Sequence, residues 1–352
     1  TWDPRAALAD RRMLERLLAA AANPRPGRLD QLGGLEIQVD SRAISGAEGF
    51  PAALRPSVAG PVDLGATAGL YRSRPLLIAD ALAGADGRRR TLEALACGCR
   101  VVSLPDSVLA AAAGESVRFV TASDDLAMAL ADTDGAGALD EAGIRPVSRR
   151  IFQGHAVPVA LATLTGSLGL SVDPRARRSM SLLVRVVPDD PDRLIRSMKA
   201  QAFRPNEVVI AAAAGVPVRP EVVDALTRLA ITTRTVSNDA GSWPALAAAA
   251  SSAWLIAWPE AGFDDPNALL DLALAAEASR ADAVGFVDGA VGFVGSAADH
   301  ASGSFVADLP FAGTLLRPDL AAQVRAGEPL ASAARRGARL FGTQAVLDRS
   351  DR

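Results

Sequence analysis

Residues Arg88 to Ser103 read RRRTLEALACGCRVVS, and the fold is decided there. TLEALA (91–96) consists of residues that favour a helix. CGC is a small-residue turn, and RVVSLP (100–105) is a short apolar run of strand type. A similar run, RPLLIAD (74–80), lies just upstream. Strands alternating with helices of about 10–15 residues are the pattern of a parallel sheet with crossover helices.

Further upstream, LEIQVD (35–40) alternates, which puts Leu35, Ile37 and Val39 on one side of a strand. The segment 3–22 places Leu8, Met13, Leu14, Leu17 and Leu18 on one helical face, and NPRPG ends it. Downstream, SDDLAMALAD (123–132) opens on capping residues and reads as a helix. Residues 137–170 read as terminal helices packing back on the same domain. SVDPRARRS (171–179) is polar and charged, and a linker is expected there.

After it the pattern restarts. SLLVRVV (181–187), EVVIAAAAG (207–215), ITTRTVS (231–237) and WLIAW (254–258) read as strands. DDPDRLIRSMKAQA (189–202), RPEVVDALTRLA (219–230), PALAAAASSA (244–253) and DPNALLDLALAAEAS (265–279) read as the helices between and after them, the first opened by acids suited to its N-terminal dipole. The expectation is α/β: two consecutive three-layer αβα domains, residues 1–170 and 180–352. The chain's 352 residues suit two domains of about 150–200 residues each.

Composition narrows the function classes. A net charge of -3 leaves no electrostatic footprint for nucleic acid. Hydrophobic residues make up 49% but aromatics only 4%, so the cores must be built from Leu, Val, Ile and Ala. Lys199 is the only lysine, so the arginine content reads as compositional bias rather than as a functional patch. Cys97 and Cys99 stand too close to bridge without strain. With only His155 and His300 besides, no zinc-ligand spacing exists, and a reduced, cytoplasmic protein is expected. The weakly polar stretch from Trp243 to Pro259 falls short of the roughly 18–20 apolar residues that cross a bilayer, so it reads as a buried helix and strand.

The stretch around Glu93, with E-A-x-A-C-G-x-x-V-V spacing, resembles the donor-binding lobe of GT-B glycosyltransferases. From Thr1 to Leu170 the likeness is greatest to the spore-maturation-type glycosyltransferases. It rests on RRMLERLLAAA (11–21), VDSR (39–42), Phe50–Pro51, Tyr71–Arg72, Arg89, Arg90 and the A-C-G turn. The resemblance implies a Rossmann-like lobe that binds a nucleotide sugar. In that lobe a helix start would meet the diphosphate, Arg89 and Arg90 would neutralise phosphate charge, and Glu93 would accept from ribose hydroxyls. The family's Ser/Thr-rich stretch ahead of the arginines is replaced by ADALAGADG (79–87), and its R-x-V-x-x-x-H-T-Y motif survives only as a loosely spaced RPVSRRIFQGH ending at His155. The chain opens on TWDP, where the family leaves its first strand, so an N-terminal lobe is expected ahead of Thr1.

From Ser181 to Phe341 the chain resembles the GT-A domains of glycosyltransferase family 2, through Pro188, Leu194 and QAFRPNEVV (201–209). The family's metal motif, two carboxylates at a strand end, is here Trp258–Pro259–Glu260. The expectation is therefore no metal and no cofactor in this domain. Asp264 and Asp265 read as a helix N-cap pair.

Three functions stay open. The first is a glycosyltransferase moving a hexosyl group from a nucleotide-sugar donor to a glycan or lipid-linked acceptor in cell-surface glycan synthesis, in the cytoplasm or peripherally at the inner face of the membrane. The second is an inactive pseudo-glycosyltransferase acting as scaffold or regulatory subunit with a protein partner. The third is a nucleotide- or glycan-binding module without turnover. Catalytic residues are not assigned.

Overall fold

The computed structural model describes residues 37–39, 58–61, 66–73, 76–79, 85–121, 139, 141–185, 191–212, 217–237, 243–259, 262–287, 304–324 and 330–343. The helices expected at 3–22 and 123–132 lie outside these residues, as does Glu260. The chain divides into two compact units, Thr1–Ala156 and Val157–Arg352, each of α/β type.

In the first unit β1 (Ile37–Val39) pairs in parallel with β2 (Val58–Pro61). After α1 (Thr67–Ser73) comes a three-stranded parallel sheet: β3 (Leu76–Ala79), β4 (Arg100–Ser103) and β5 (Val117–Phe119) in that order. Helix α2 (Ala85–Ala96) crosses from β3 to β4, α3 (Ser107–Ala113) from β4 towards β5, and α4 (Glu141–Gly154) follows. Leu95, Cys99, Val101, Val117 and Val147 form the core against Tyr71.

The A-C-G turn has a backbone explanation. The N–H of Gly98 donates to Leu95 O and that of Cys99 to Ala94 O, so α2 closes in a Schellman motif with Gly98 at φ +91°. A Cβ on Gly98 would stand 2.7 Å from Ile144 Cδ1 of α4. The left-handed backbone at this position therefore favours glycine, independently of any ligand.

The second unit starts with α5 (Val157–Ser167), none of whose residues is buried. Residues 157–170 were expected to close the first domain; the compact units divide at Ala156 and Val157 instead. Residues 171–179 likewise differ from a free linker. Pro174–Arg178 form a 3₁₀ turn capped by Asp173, which accepts from Arg175 N–H. Arg178, 9% exposed, donates from Nε and Nη2 to the two oxygens of Glu277 at 2.6 and 2.9 Å. A carboxylate 99 residues away turns a polar segment into part of the unit.

Beyond it run β6 (Met180–Val184), α6 (Pro191–Ala200), β7 (Glu207–Ala212), α7 (Pro220–Arg228) and β8 (Thr232–Ser237). Next come α8 (Trp243–Ala249), β9 (Trp254–Ala257), α9 (Ala268–Ser279) and β10 (Ala283–Phe286). The unit ends with β11 (Ser304–Val306), β12 (Leu315–Leu316), α10 (Pro318–Gln323), α11 (Ala331–Arg335) and β13 (Leu340–Thr343). The sheet has eight strands in the order β11-β13-β10-β12-β9-β6-β7-β8. β9, β6, β7 and β8 are parallel, and β12 runs antiparallel between β9 and β10. Residues 180–184 and 207–211 are buried throughout, as parallel strands covered on both faces must be.

Candidate functional site

In open parallel sheets ligands lie outside the carboxyl ends of the strands, so each unit offers one edge to consider. In the first unit α2 starts beyond the carboxyl end of β3. The arginines were expected to precede a helix at 91–96. The helix instead begins at Ala85, and the Thr91 hydroxyl donates to Gly87 O in a helical turn. Arginine is a good helix former, so the basic run joins the helix rather than a phosphate-facing loop.

This start displaces the predicted residues along the axis. Glu93 lies eight residues after Ala85, about 12 Å down the helix, towards the amino edge of the sheet. There Arg89 Nη1 donates to Glu93 Oε1 at 2.5 Å, with both side chains nearly half exposed. Such a surface pair is worth only about 0.3–0.5 kcal/mol. Tyr71 stands in the same neighbourhood, and its pKa is raised by burial first and by Glu93 next, with Arg90 and Arg89 opposing. Burial likewise raises the Cys97 thiol, against the pull of Arg72. Arg89, Arg90 and Glu93 thus lie near Tyr71, and Arg72 lies near Cys97.

The carboxyl edge carries residues to which sequence reasoning assigned no role. Arg88 Nε donates to Asp106 Oδ2 at 2.8 Å, and Asp106 Oδ1 accepts from Val108 and Leu109 N–H at the start of α3. Burial alone would raise the Asp106 pKa. The Leu109 N–H, the bond and charge of Arg88, and the Val108 N–H outweigh it and hold the carboxyl below the usual aspartate range. The available signal was an N-cap, Asp106 ahead of an apolar helical run.

In the second unit the topological switch point falls between β6 and β9, because β7 and β8 extend one way and β9 and β12 the other. Trp258 follows β9 there. Its N–H donates to Leu183 O at 2.9 Å, its ring is 8% exposed, and it meets Phe263 edge-on at 5.9 Å. Its Nε1 is buried without a hydrogen bond, and Pro259 beside it is buried too. An indole and a proline supply no oxygen ligand, so these residues do not fit the divalent cation that the GT-A resemblance would place at this strand end. Among the described residues no group of three His, Cys, Asp or Glu side chains could hold a metal ion.

Asp265 has a local task. Its Oδ1 accepts from Asn267 N–H at 2.8 Å, one residue before α9, while Asp264 is exposed. The loop carrying both is held by α6. Ser197 Oγ donates to Phe263 O, Gln201 Nε2 donates to Asp265 O at 2.8 Å, and Leu269 N–H donates to Gln201 Oε1 at 3.1 Å. A concavity of about 510 Å³ lies alongside, lined by Arg193, Arg196, Ser197, Ala200, Gly262, Phe263 and Asp264. Glu207, the acid of QAFRPNEVV, is buried. It accepts from Ser181 Oγ at 2.6 Å and Ser251 N–H at 2.9 Å and pairs with Arg234. Gln201 and Glu207 are accounted for by structure rather than by ligand binding.

No family model matches this chain, and no curated protein matches it significantly.

Proposed function

We propose that the chain is a glycosyltransferase-related protein whose second unit is a GT-A-like domain that takes no metal-bound donor. Nucleotide-sugar binding falls to the first unit, a GT-B-like lobe, and transfer would serve a glycan or lipid-linked acceptor in cell-surface glycan synthesis. Trp258 carries this reading: a buried indole occupies the strand end where the donor's cation would sit. The order β8-β7-β6-β9 further supports it, being the 3-2-1-4 order of a nucleotide-binding half. In the first unit the parallel β3-β4-β5 sheet supplies two helix starts, and Arg88, Arg89 and Arg90 follow the first of them.

The pairing of Glu93 with Arg89 favours a second reading, the pseudoenzyme, because each group already satisfies the charge of the other. No helix among the described residues is long and apolar enough to cross a membrane.

A thermal-shift series with UDP, GDP, TDP and their sugars, with and without Mn²⁺, tests both readings. The donor-site reading expects stabilisation without metal, lost in Arg89→Ala, Arg90→Ala or Glu93→Ala. No shift with any nucleotide leaves the pseudoenzyme. A shift that requires Mn²⁺ and survives those three substitutions would overturn the assignment of the second unit.

A further inference from the structure

The concavity of about 510 Å³ beside the end of β9 lies wholly within the second unit, and neither the Gln201 bridges nor the cap at Asp265 uses it. One wall is a single face of α6, where Arg193, Arg196, Ser197 and Ala200 stand at i, i+3, i+4 and i+7. The other wall is the turn from Gly262 to Asp264. Its volume falls within the roughly 300–1,000 Å³ of small-molecule sites.

The hollow is built into the local structure. Gly262 N–H donates to Pro259 O at 2.8 Å. The Ser197 hydroxyl donates to Phe263 O at 3.0 Å and accepts from Phe263 N–H at 3.1 Å, so the turn is stapled to α6. The residues between the arginines and the turn carry little side chain. Gly262, φ +77°, has none, and a Cβ there would stand 3.7 Å from Arg193 Nε and 3.5 Å from Cζ2 of the Trp258 ring. The Trp258 Nε1, buried without a hydrogen bond, is two bonds from that Cζ2. Ala200 adds only a methyl to the facing wall.

We propose that this hollow binds a phosphate monoester carried on a hydroxylated carbon skeleton, with the phosphate on Arg193 and Arg196 and a hydroxyl donating to Asp264. The lining sorts by charge into these two roles. Both arginines are exposed, and each guanidinium has five N–H donors in a fork that matches phosphate oxygens, more than a single partner occupies. The Ser197 hydroxyl is already used by Phe263, which leaves the exposed Asp264 carboxylate as the side-chain acceptor of the lining. Two cationic forks and one carboxylate suit a ligand that is anionic at one end and carries hydroxyl donors at the other. The place agrees, because the turn follows β9 at the carboxyl side of the switch point, where open α/β sheets take their ligands. The site stands on these residues alone and holds whether or not Arg89, Arg90 and Glu93 bind a nucleotide.

Isothermal titration calorimetry on the 352-residue chain with inorganic phosphate, glycerol 3-phosphate and glucose 1-phosphate tests the proposal. Both esters should bind at least about 10-fold more tightly than inorganic phosphate, and the tighter of the two tells a sugar skeleton from a glycerol one. Arg193→Gln/Arg196→Gln should weaken both esters by at least about 100-fold, roughly tenfold for each charge-assisted contact. Asp264→Ala should cancel the preference for esters without weakening inorganic phosphate. All three positions are exposed, so the variants should keep the wild-type circular dichroism and melting curve. No heat from either ester at about 10 mM overturns the proposal, as do dissociation constants that Arg193→Gln/Arg196→Gln leaves unchanged. Esters that bind no better than inorganic phosphate overturn it too. Binding lost in Arg89→Ala/Arg90→Ala but kept in Arg193→Gln/Arg196→Gln belongs to the first unit and overturns it as well.

Discussion

Gln201→Ala should destabilise the second unit by about 2–4 kcal/mol. The Gln201 amide is 2% exposed and bridges Asp265 O and Leu269 N–H, whose residue is fully buried. Two buried backbone partners lose their hydrogen bond, and leaving each unpaired costs roughly 1–2 kcal/mol, the lower part of the usual range because some water can enter. The assay is urea unfolding followed by tryptophan emission, because Trp243, Trp254 and Trp258 all lie in this unit. The midpoint should fall with the slope unchanged, and the melting temperature by on the order of 5–10 °C. Gln201→Glu makes the test specific: it keeps the acceptor for Leu269 but sets a carboxylate against Asp265 O, so it should lose at least as much stability at pH 7. Lys199→Ala, exposed near the end of α6, should stay within about 0.5 kcal/mol of wild type. A Gln201→Ala protein within that same margin would refute the claim that Gln201 holds the loop after β9.

Two further outcomes are expected of the first unit. Asp106→Ala should cost about 1–2 kcal/mol through the lost cap of α3; because folding lowers this carboxyl's pKa, its contribution is present above about pH 4 and should fade as pH drops through the lowered folded value, which acid titration of the wild type and variant would show. Cys99 is fully buried, its Sγ–H donates to Tyr71 O at 2.9 Å, and burial pushes its thiol from 9.0 to about 11. A thiol reagent at pH 8 should therefore label only Cys97 in the native protein and both cysteines after unfolding. The same raised pKa should remove stability as pH climbs from about 9 to about 11, where the unfolded chain ionises first.

Much of the fold was legible because its signals are local. RPLLIAD, RVVSLP, EVVIAAAAG and WLIAW contain strands at Leu76–Ala79, Arg100–Ser103, Glu207–Ala212 and Trp254–Ala257. Helix boundaries were less legible. Nothing in RRRTLEALA marks its start, since arginine suits both a helix and the turn before one. Of the candidate site, Arg89, Arg90 and Glu93 could be named only through the resemblance, and the link between Arg88 and Asp106 spans 18 residues and has no sequence pattern.

The sequence by itself determined the α/β alternation and the residue types at the end of β9, because strand period and ligand chemistry are properties of neighbouring residues. Only the tertiary structure decided that Arg178 belongs to the second unit, that Gln201 and Glu207 serve packing, and that α5 lies open. Each of those depends on what stands across space from a side chain. A polar residue reads the same whether its partner is water or a carboxylate 99 residues away, and an apolar helix reads the same covered or bare.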